Sequence, residues 1–441
     1  MALLQETGAI ESAEPTPRQT FFAIAASCLG WSLDLFDLFI LLYVAPVIGA
    51  LFFPSQFPTL SLAAVYASFA VTLLMRPVGS AVFGSYADRN GRKGAMVVAV
   101  GGVGVSTALF GLLPTLEQAG LAAPVLFLIL RLVQGVFVGG VVASTHTIGT
   151  ESVSPKWRGT MSGLIGGGGA AVGALLASIV YLATSSIFPG DSFAVWGWRC
   201  MFFTGILSSL LGLVVFNSLE ESPLWRRAQQ KKAHSAHRRS PLAALFGAEH
   251  RSVLYTNLLI TIGGGAGYYL TSGYLPSFLK VVNKLPGTTT SLILMGASVG
   301  AFVASLLVGW VSDRIGRKPT FFLVGLANLI LIPACYTSMA TPTDVMTITS
   351  CAIALAFLGN AGYAPVLIFL NERFPTDLRA TGTGLSWNIG FAIGGILPTF
   401  VSLFSKTPDD IPLSLSLFSG AVFLIYLIGS LIVPETRDRM Q

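Results

Sequence analysis

Charge is scarce in this chain. Asp, Glu, Lys and Arg together make up 10% of its 441 residues, where a soluble domain carries about 25%. Hydrophobic residues supply 53% and mean hydropathy is +0.74. So few charges cannot cover a water-facing surface, which excludes a soluble enzyme or binding module and implies a polytopic membrane protein. Cysteine is scarce too. Cys28, Cys200, Cys335 and Cys351 lie in or at the ends of apolar runs without metal-type spacing. That pattern points to packing, away from a disulfide framework or a metal site. Neither Gly-rich stretch, "GLIGGGGAAVG" from Gly163 or "GGGAG" from Gly263, leads into Gly-Lys-Ser/Thr, so neither reads as a phosphate loop. Within the apolar runs there is no His cluster and no nucleophile–base pair. No enzyme activity, cofactor or metal is expected.

Long apolar runs are what the chain has in quantity. Crossing the hydrocarbon takes roughly 20 apolar residues, and lipid offers no partner for free backbone groups, so the runs must be helices. Twelve are predicted, at 21–50, 61–84, 95–113, 124–148, 160–183, 199–219, 253–280, 289–311, 319–339, 345–370, 381–404 and 413–433. The fold class is an all-α membrane protein. The first 20 residues are polar and contain Pro, and the first apolar run is too long for a signal h-region. No cleavable signal is expected.

The net charge of +6 invites a nucleic-acid reading, but its distribution argues otherwise. Arg89, Arg92, Lys93, Lys156, Arg158, the basic run from Arg226 to Arg239, Arg314, Arg317, Lys318, Arg373 and Arg379 fall on one side of a twelve-span arrangement. Arg199, Lys280, Lys284 and Lys406 fall on the other. The positive-inside rule then places both termini and the central loop in the cytoplasm.

The sequence repeats itself. "GSYADRNGRKGAM" from Gly84 is matched by "GWVSDRIGRKPTF" from Gly309, and "ESVSPKWRGTMSGL" from Glu151 by "ERFPTDLRATGTGL" from Glu372. Two independent matches at nearly one offset indicate a duplicated half of six helices. The expected organisation is a tail over 1–20, a six-helix bundle over 21–219, a polar linker over 220–252, a second bundle over 253–433 and a tail over 434–441. His234, His237 and His250 fit a solvated basic linker better than a metal site.

The repeated Gly-x-x-x-Asp-Arg-x-Gly-Arg-Lys loops resemble the signature of the major facilitator superfamily. "RLVQG" at Arg131, "LEESPLW" at Leu219 and "VPETRDR" at Val433 resemble that superfamily's motifs at the fourth, sixth and twelfth helices. More narrowly, "RPVGSAVFG" at Arg76, "WGWRCMFF" at Trp196 and "NERFPTDLRATGTG" at Asn371 resemble the metabolite and organic-acid proton symporters, including the sialate and lactate branches. The resemblance implies two six-helix bundles around a midplane site that opens to each side in turn. It also implies that Asp88, Arg92, Glu151, Arg158, Asp313, Arg317, Glu372 and Arg379 latch the halves together. The alternative is that these charges only fix loop topology. The fifth helix lacks the Gly-Pro pair typical of drug–proton antiporters, which counts against efflux.

Charge inside the membrane costs about 2.5–3.5 kcal/mol per group at a helix centre. "WSLDLFDLFI", from Trp31, carries two such groups. Asp34 and Asp37 are i,i+3 and share a helix face. At 1.5 Å per residue, their depth from the first helix's start matches that of Arg131 on the fourth helix. Two carboxylates competing for one permanent cation favour a retained proton on one acid, since burial and like charge both oppose ionisation. The resemblance to proton-coupled sugar porters and organic-acid symporters, where an acid at the position of Asp37 and an Arg matching Arg131 are the kind of pair implicated, makes Asp37 the expected proton carrier, with Asp34 coupled to it and Arg131 as partner. A permanent ion pair that merely orients helices is the other reading. Arg131 is also a candidate cation for an anionic substrate, with Gln134 beside it. His146 is a packing residue or a proton relay. Arg76 reads as a packing or snorkelling Arg.

Tyr268, Tyr269, Asn360, Tyr363, Trp387 and Asn388 are neutral polar groups in apolar helices of the second half. Each alone is an ordinary helix–helix contact; as a group they are candidate substrate lining. The expected function is proton-coupled uptake of a small organic anion across the inner membrane by a monomer, with the lipid bilayer as surroundings. The alternatives are a sugar or polyol importer, an organic-acid exporter, or a non-transporting ligand sensor.

Overall fold

The computed structural model of the protein describes residues 17–90, 92–151, 153–218, 246–247, 251–340, 344–374 and 379–437. These residues are helical almost throughout, with no strand among them. The first half comprises α1 (Pro17–Phe52), α2 (Pro58–Asn90), α3 (Arg92–Phe110), α4 (Ala122–Glu151), α5 (Arg158–Ile187) and α6 (193–218). The second comprises α7 (251–281), α8 (Gly287–Ile315), α9 (Arg317–Ala340), α10 (Val345–Arg373), α11 (Arg379–Phe404) and α12 (Ile411–Ile432). Ten candidate spans are long and apolar enough to cross a membrane. α3 adds a shorter apolar stretch, Val97–Phe110, and α7 is broken by a π turn. Most of the polar linker expected over 220–252 lies outside the described residues.

Several helices carry points where the regular backbone hydrogen-bond ladder is interrupted. Pro46, Pro77, Pro333 and Pro398 sit inside α1, α2, α9 and α11, each removing one rung of the ladder. α10 breaks at Ala364–Pro365. π turns interrupt α5 at Leu164–Gly168, α6 at Phe193–Gly197 and α7 at Tyr269–Gly273. Such turns collect at functional sites because they free carbonyls from the regular pattern.

The duplication read from sequence is visible in the packing. In the first half α2 packs on α4, α3 on α6 and α1 on α5. In the second, α8 packs on α10, α9 on α12 and α7 on α11. The halves then meet along two equivalent seams, α5 against α8 and α2 against α11. Glycine makes the α5–α8 seam close. A Cβ on Gly163 would lie 2.4 Å from the Ser305 carbonyl, and one on Gly309 would lie 2.7 Å from that of Gly159. Without a hydrophobic drive in lipid, such close backbone approach is what holds helices together.

The halves touch at both ends of the molecule. Near the ends that lead to the termini, α8 holds the start of α5 through Asp313. Towards the opposite end, Tyr66 of α2 donates to Ser277 Oγ of α7 at 3.0 Å and stacks on Tyr274 at 5.0 Å. Between them is a cavity of about 20 Å³ lined by α1, α5, α7, α8 and α10. That is room for about one water. The conformation is closed around its centre.

Candidate substrate and proton site

α1 carries both intramembrane acids on one face. Asp34 and Asp37 are 6% and 3% exposed, so each needs a partner within the protein. Asp34 finds Arg76 of α2, at 3.7 Å. Neither Asp34 oxygen has a hydrogen-bond partner among the described residues, which leaves this ion pair open to further ligation. Asp37 takes a hydrogen bond from Ser208 Oγ of α6, at 3.2 Å. It lines a second small space inside the first half with Gly30, Leu33, Asp34, Val100, Val103, Val141, Ser208 and Ser209.

The expected Asp37–Arg131 pair is not formed. Arg131 Nη1 donates to Gln134 Oε1 at 2.7 Å, and Gln134 Nε2 donates to Thr107 Oγ1 at 2.8 Å. The guanidinium lies over the Phe110 ring at 4.0 Å and near Phe127 at 5.1 Å. A desolvated cation on an aromatic face gains about 2 kcal/mol or more, so rings do what a carboxylate was expected to do. Among the described residues no hydrogen bond carries this chain on from Thr107 to Asp37. A Cβ on Gly205 would lie 2.5 Å from Thr107 Cγ2 and 3.3 Å from Asp37 Oδ1. Arg131 and Gln134 therefore sit within the first half's own bundle, apart from the other candidate substrate residues.

Arg76 does not snorkel. It is 7% exposed and shares a face of α2 with Phe69 and Leu73. That face meets the second half. Phe69 packs edge-on against Tyr269 at 5.4 Å, and Leu73 fills the notch at Gly395 of α11, where a Cβ would lie 2.0 Å from it. The Asp34–Arg76 pair thus lies at the seam, within electrostatic range of Tyr269 and Tyr363.

Around that pair the aromatic residues converge. Trp31, one turn before Asp34, donates its indole N–H to Tyr363 Oη at 3.0 Å. Tyr363 meets Trp387 at 5.1 Å, and Trp387 stacks on Phe391 at 3.8 Å. Tyr268 packs on Tyr363 at 5.0 Å and on Phe39 of α1 at 6.2 Å. Four of the predicted lining residues, Tyr268, Tyr269, Tyr363 and Trp387, belong to this one cluster. Asn360 lies deeper, on the central cavity. Its amide nitrogen reaches the carbonyls of Gly167 and Ala301 and Ser305 Oγ at 3.1, 2.7 and 2.6 Å. Asn388 is buried, and its Oδ1 has no partner among the described residues.

A second charged cluster ties the halves together near the ends that lead to the termini. Arg317 Nη1 reaches Asp313 at 2.9 Å, and Nε and Nη2 grip Glu372 at 3.1 and 2.9 Å. Thr436 Oγ1 donates to Glu372 at 2.8 Å. Asp313 crosses the seam and accepts from the backbone N–H groups of Gly159 and Thr160 at 2.8 and 2.7 Å. Glu435 accepts from the N–H groups of Arg317 and Lys318 at 2.9 and 3.0 Å. Burial pushes the Glu435 carboxyl up, but donors from Arg437, Arg317, Lys318 and Thr436 outweigh it and hold the group below its ordinary range. Arg158 Nε has no hydrogen-bond partner among the described residues. The side chains of Asp88, Arg92, Glu151, Arg379 and His146 lie outside them.

Sequence reading missed Trp31, Phe39, Phe391, Ser208 and the Asp34–Arg76 pairing. Trp31 had a signal, since it is i−3 from Asp34 and shares its face. Arg76 had a weaker one in its spacing from Phe69 and Leu73.

Two matched six-helix halves closing on a central aromatic site define a membrane transporter. Residues 20–399 match the profile of the Major Facilitator Superfamily, and the chain belongs to that superfamily. It is 29% identical over 432 residues to a glycine betaine/proline/ectoine/pipecolic acid transporter of Dickeya dadantii, covering 95% of this chain and 84% of that one. It is 28% identical over 424 residues to an inner membrane metabolite transport protein of Escherichia coli, covering 94% of each. Among solved structures, a D-xylose–proton symporter superposes with a TM-score of 0.73 at 18% identity, covering 95% of this chain and 98% of that one.

Proposed function

We propose that the protein is a proton-coupled importer of a small carboxylated solute that also carries a cationic nitrogen. It works by alternating access in the bacterial inner membrane, with both termini cytoplasmic. The observation that carries the reading is the Asp34–Arg76 pair set against the ring cluster at the seam between the halves. Aromatic faces and a carboxylate attract an ammonium group, and a guanidinium attracts a carboxylate. A zwitterion answers both without adding net charge to the membrane interior. Relatives named for betaine, proline and other metabolites support it. Lys and Arg lie mostly on the loops that share a side with the termini, which supports the orientation.

Asp37 is the proton carrier in this reading. It sits one turn from Asp34, and two buried carboxylates served by one Arg favour a shared proton. The charged cluster of Asp313, Arg317, Glu372 and Glu435 is the cytoplasmic latch, and Asp88, Arg92, Glu151, Arg158 and Arg379 are its counterparts. A plain organic anion is the second reading. The Nε and Nη2 of Arg131, which have no hydrogen-bond partner among the described residues, favour it, as does the motif likeness to the sialate and lactate branches.

Uptake by proteoliposomes under an imposed pH gradient tests the choice. Proline-like and betaine-like zwitterions should compete for transport, and lactate, sialate and xylose should not. Competition by plain carboxylates or by sugars alone would overturn the zwitterion assignment.

A further inference from the structure

Asn360 is fully buried on the central cavity, and its amide can be oriented in only one way. The carbonyls of Gly167 and Ala301 face one end of it, at 3.1 and 2.7 Å. Ser305 Oγ, also there, already donates its own proton to Ala301 at 2.9 Å. All three are acceptors, so that end must be the –NH₂ group, and a flipped amide would set oxygen against oxygen. The carbonyl Oδ1 is then left with no partner among the described residues, on a side chain that lines the cavity.

The rest of the lining offers it little. Tyr43 Oη donates to Ala174 at 3.1 Å, and Ser298 Oγ donates to Leu294 at 2.8 Å. Ser272 Oγ, like Asn360 Oδ1, is a cavity-lining polar atom without a partner among the described residues. Apart from the Tyr268 hydroxyl the remainder is apolar, including Phe39. A buried acceptor without a donor costs about 1–3 kcal/mol. A ligand that supplies the donor recovers that cost, and one that cannot leaves it standing.

We propose that Asn360 Oδ1 is a specificity determinant that reads an N–H on the solute's ammonium group, so that N–H-bearing zwitterions are preferred over fully N-methylated ones. This rests on the zwitterion reading above and narrows it. The same side chain ties α10 to α5 and α8 across the seam, so the group that reads the ligand also holds the halves closed around it.

L-Proline and N,N-dimethyl-L-proline are a suitable pair, since both are zwitterions and they differ by N–H against N–CH₃. Binding of each to purified protein is measured by calorimetry, in the wild type, in Asn360→Leu and in Ser305→Ala. The last variant loosens the amide's anchor and keeps Oδ1. The wild type should bind proline about 10- to 100-fold more tightly. Ser305→Ala should keep a preference, and Asn360→Leu should lose it. If Asn360→Leu does not fold, the other two proteins decide. Equal binding of both compounds by the wild type, tighter binding of the methylated one, no preference in Ser305→Ala, or a preference that persists in Asn360→Leu would each overturn the role of Asn360 and leave the zwitterion reading intact. Binding of neither compound would sink the zwitterion reading and this inference with it.

Discussion

Asp313 of α8 holds Thr160 of α5 twice, through the backbone N–H and through the hydroxyl, both at 2.7 Å. One carboxylate thus caps the N-terminus of a helix that belongs to the other half. Nothing in the geometry of either half alone requires this contact, so it reports on how the halves meet.

Replacing that carboxylate should loosen the closed end. A carboxylate at a helix N-terminus is worth up to about 2 kcal/mol when partly buried. Asp313→Asn should therefore shift the population toward the state open on that side by roughly tenfold. Single cysteines placed along α5 and α8 near Gly163 and Ser305 would report it as faster alkylation. Unchanged rates would reduce Asp313 to a structural role at the end of α8.

Glu435 gives the latch a pH dependence. Its carboxyl is held below the ordinary glutamate range, so the folded state favours the ionised form. The stabilisation is present above the ordinary pKa and is lost as pH falls through the depressed one. Melting temperature should fall between pH 5 and more acid conditions in the wild type, and the fall should be shallower in Glu435→Gln. Parallel curves for the two proteins would remove Glu435 from the latch.

Arg76 and Arg131 should separate cleanly. Arg76 faces the seam, so Arg76→Gln should weaken solute binding by tenfold or more, since hydrogen bonds to charged groups contribute about 1.5–3 kcal/mol. Arg131 lies among Phe110, Phe127 and Gln134, so Arg131→Met should lower the melting temperature with little effect on solute affinity. Titration of both variants settles it. Loss of affinity in Arg131→Met with none in Arg76→Gln would restore Arg131 as the substrate's counter-charge.

Asp37→Asn fixes a neutral group of the same size. Accumulation against a gradient should be lost, while exchange of labelled for unlabelled solute survives with a flatter pH profile. Asp34→Asn should cut affinity more than coupling, because it breaks the pair with Arg76. An Asp37→Asn protein that still concentrates solute in response to a pH gradient would move the proton site to Asp34 or His146.

Twelve helices and a six-helix repeat were legible without coordinates because both rest on local quantities. The length of an apolar run fixes a span, and the paired loops at Gly84 and Gly309 survive as readable copies. The grouping of Tyr268 with Tyr269 and of Trp387 with Asn388 was legible too, since neighbours on one helix stay neighbours.

Rotation was not legible. Which way α4 turns Arg131 depends on the ridges and notches of α2, α3 and α6, and glycines such as Gly205 and Gly395 set those notches only once the helices have met. The carboxylate of Asp34 therefore went to Arg76, which sequence reading had left as a packing residue, and Arg131 went to the face of Phe110. The sequence alone carried span length, period and duplication, because these are properties of a single helix or of its copy. Only the tertiary structure chose the partners of the buried charges, because a charge pairs with whatever the neighbouring helix turns toward it, and that choice belongs to the packing of the whole bundle.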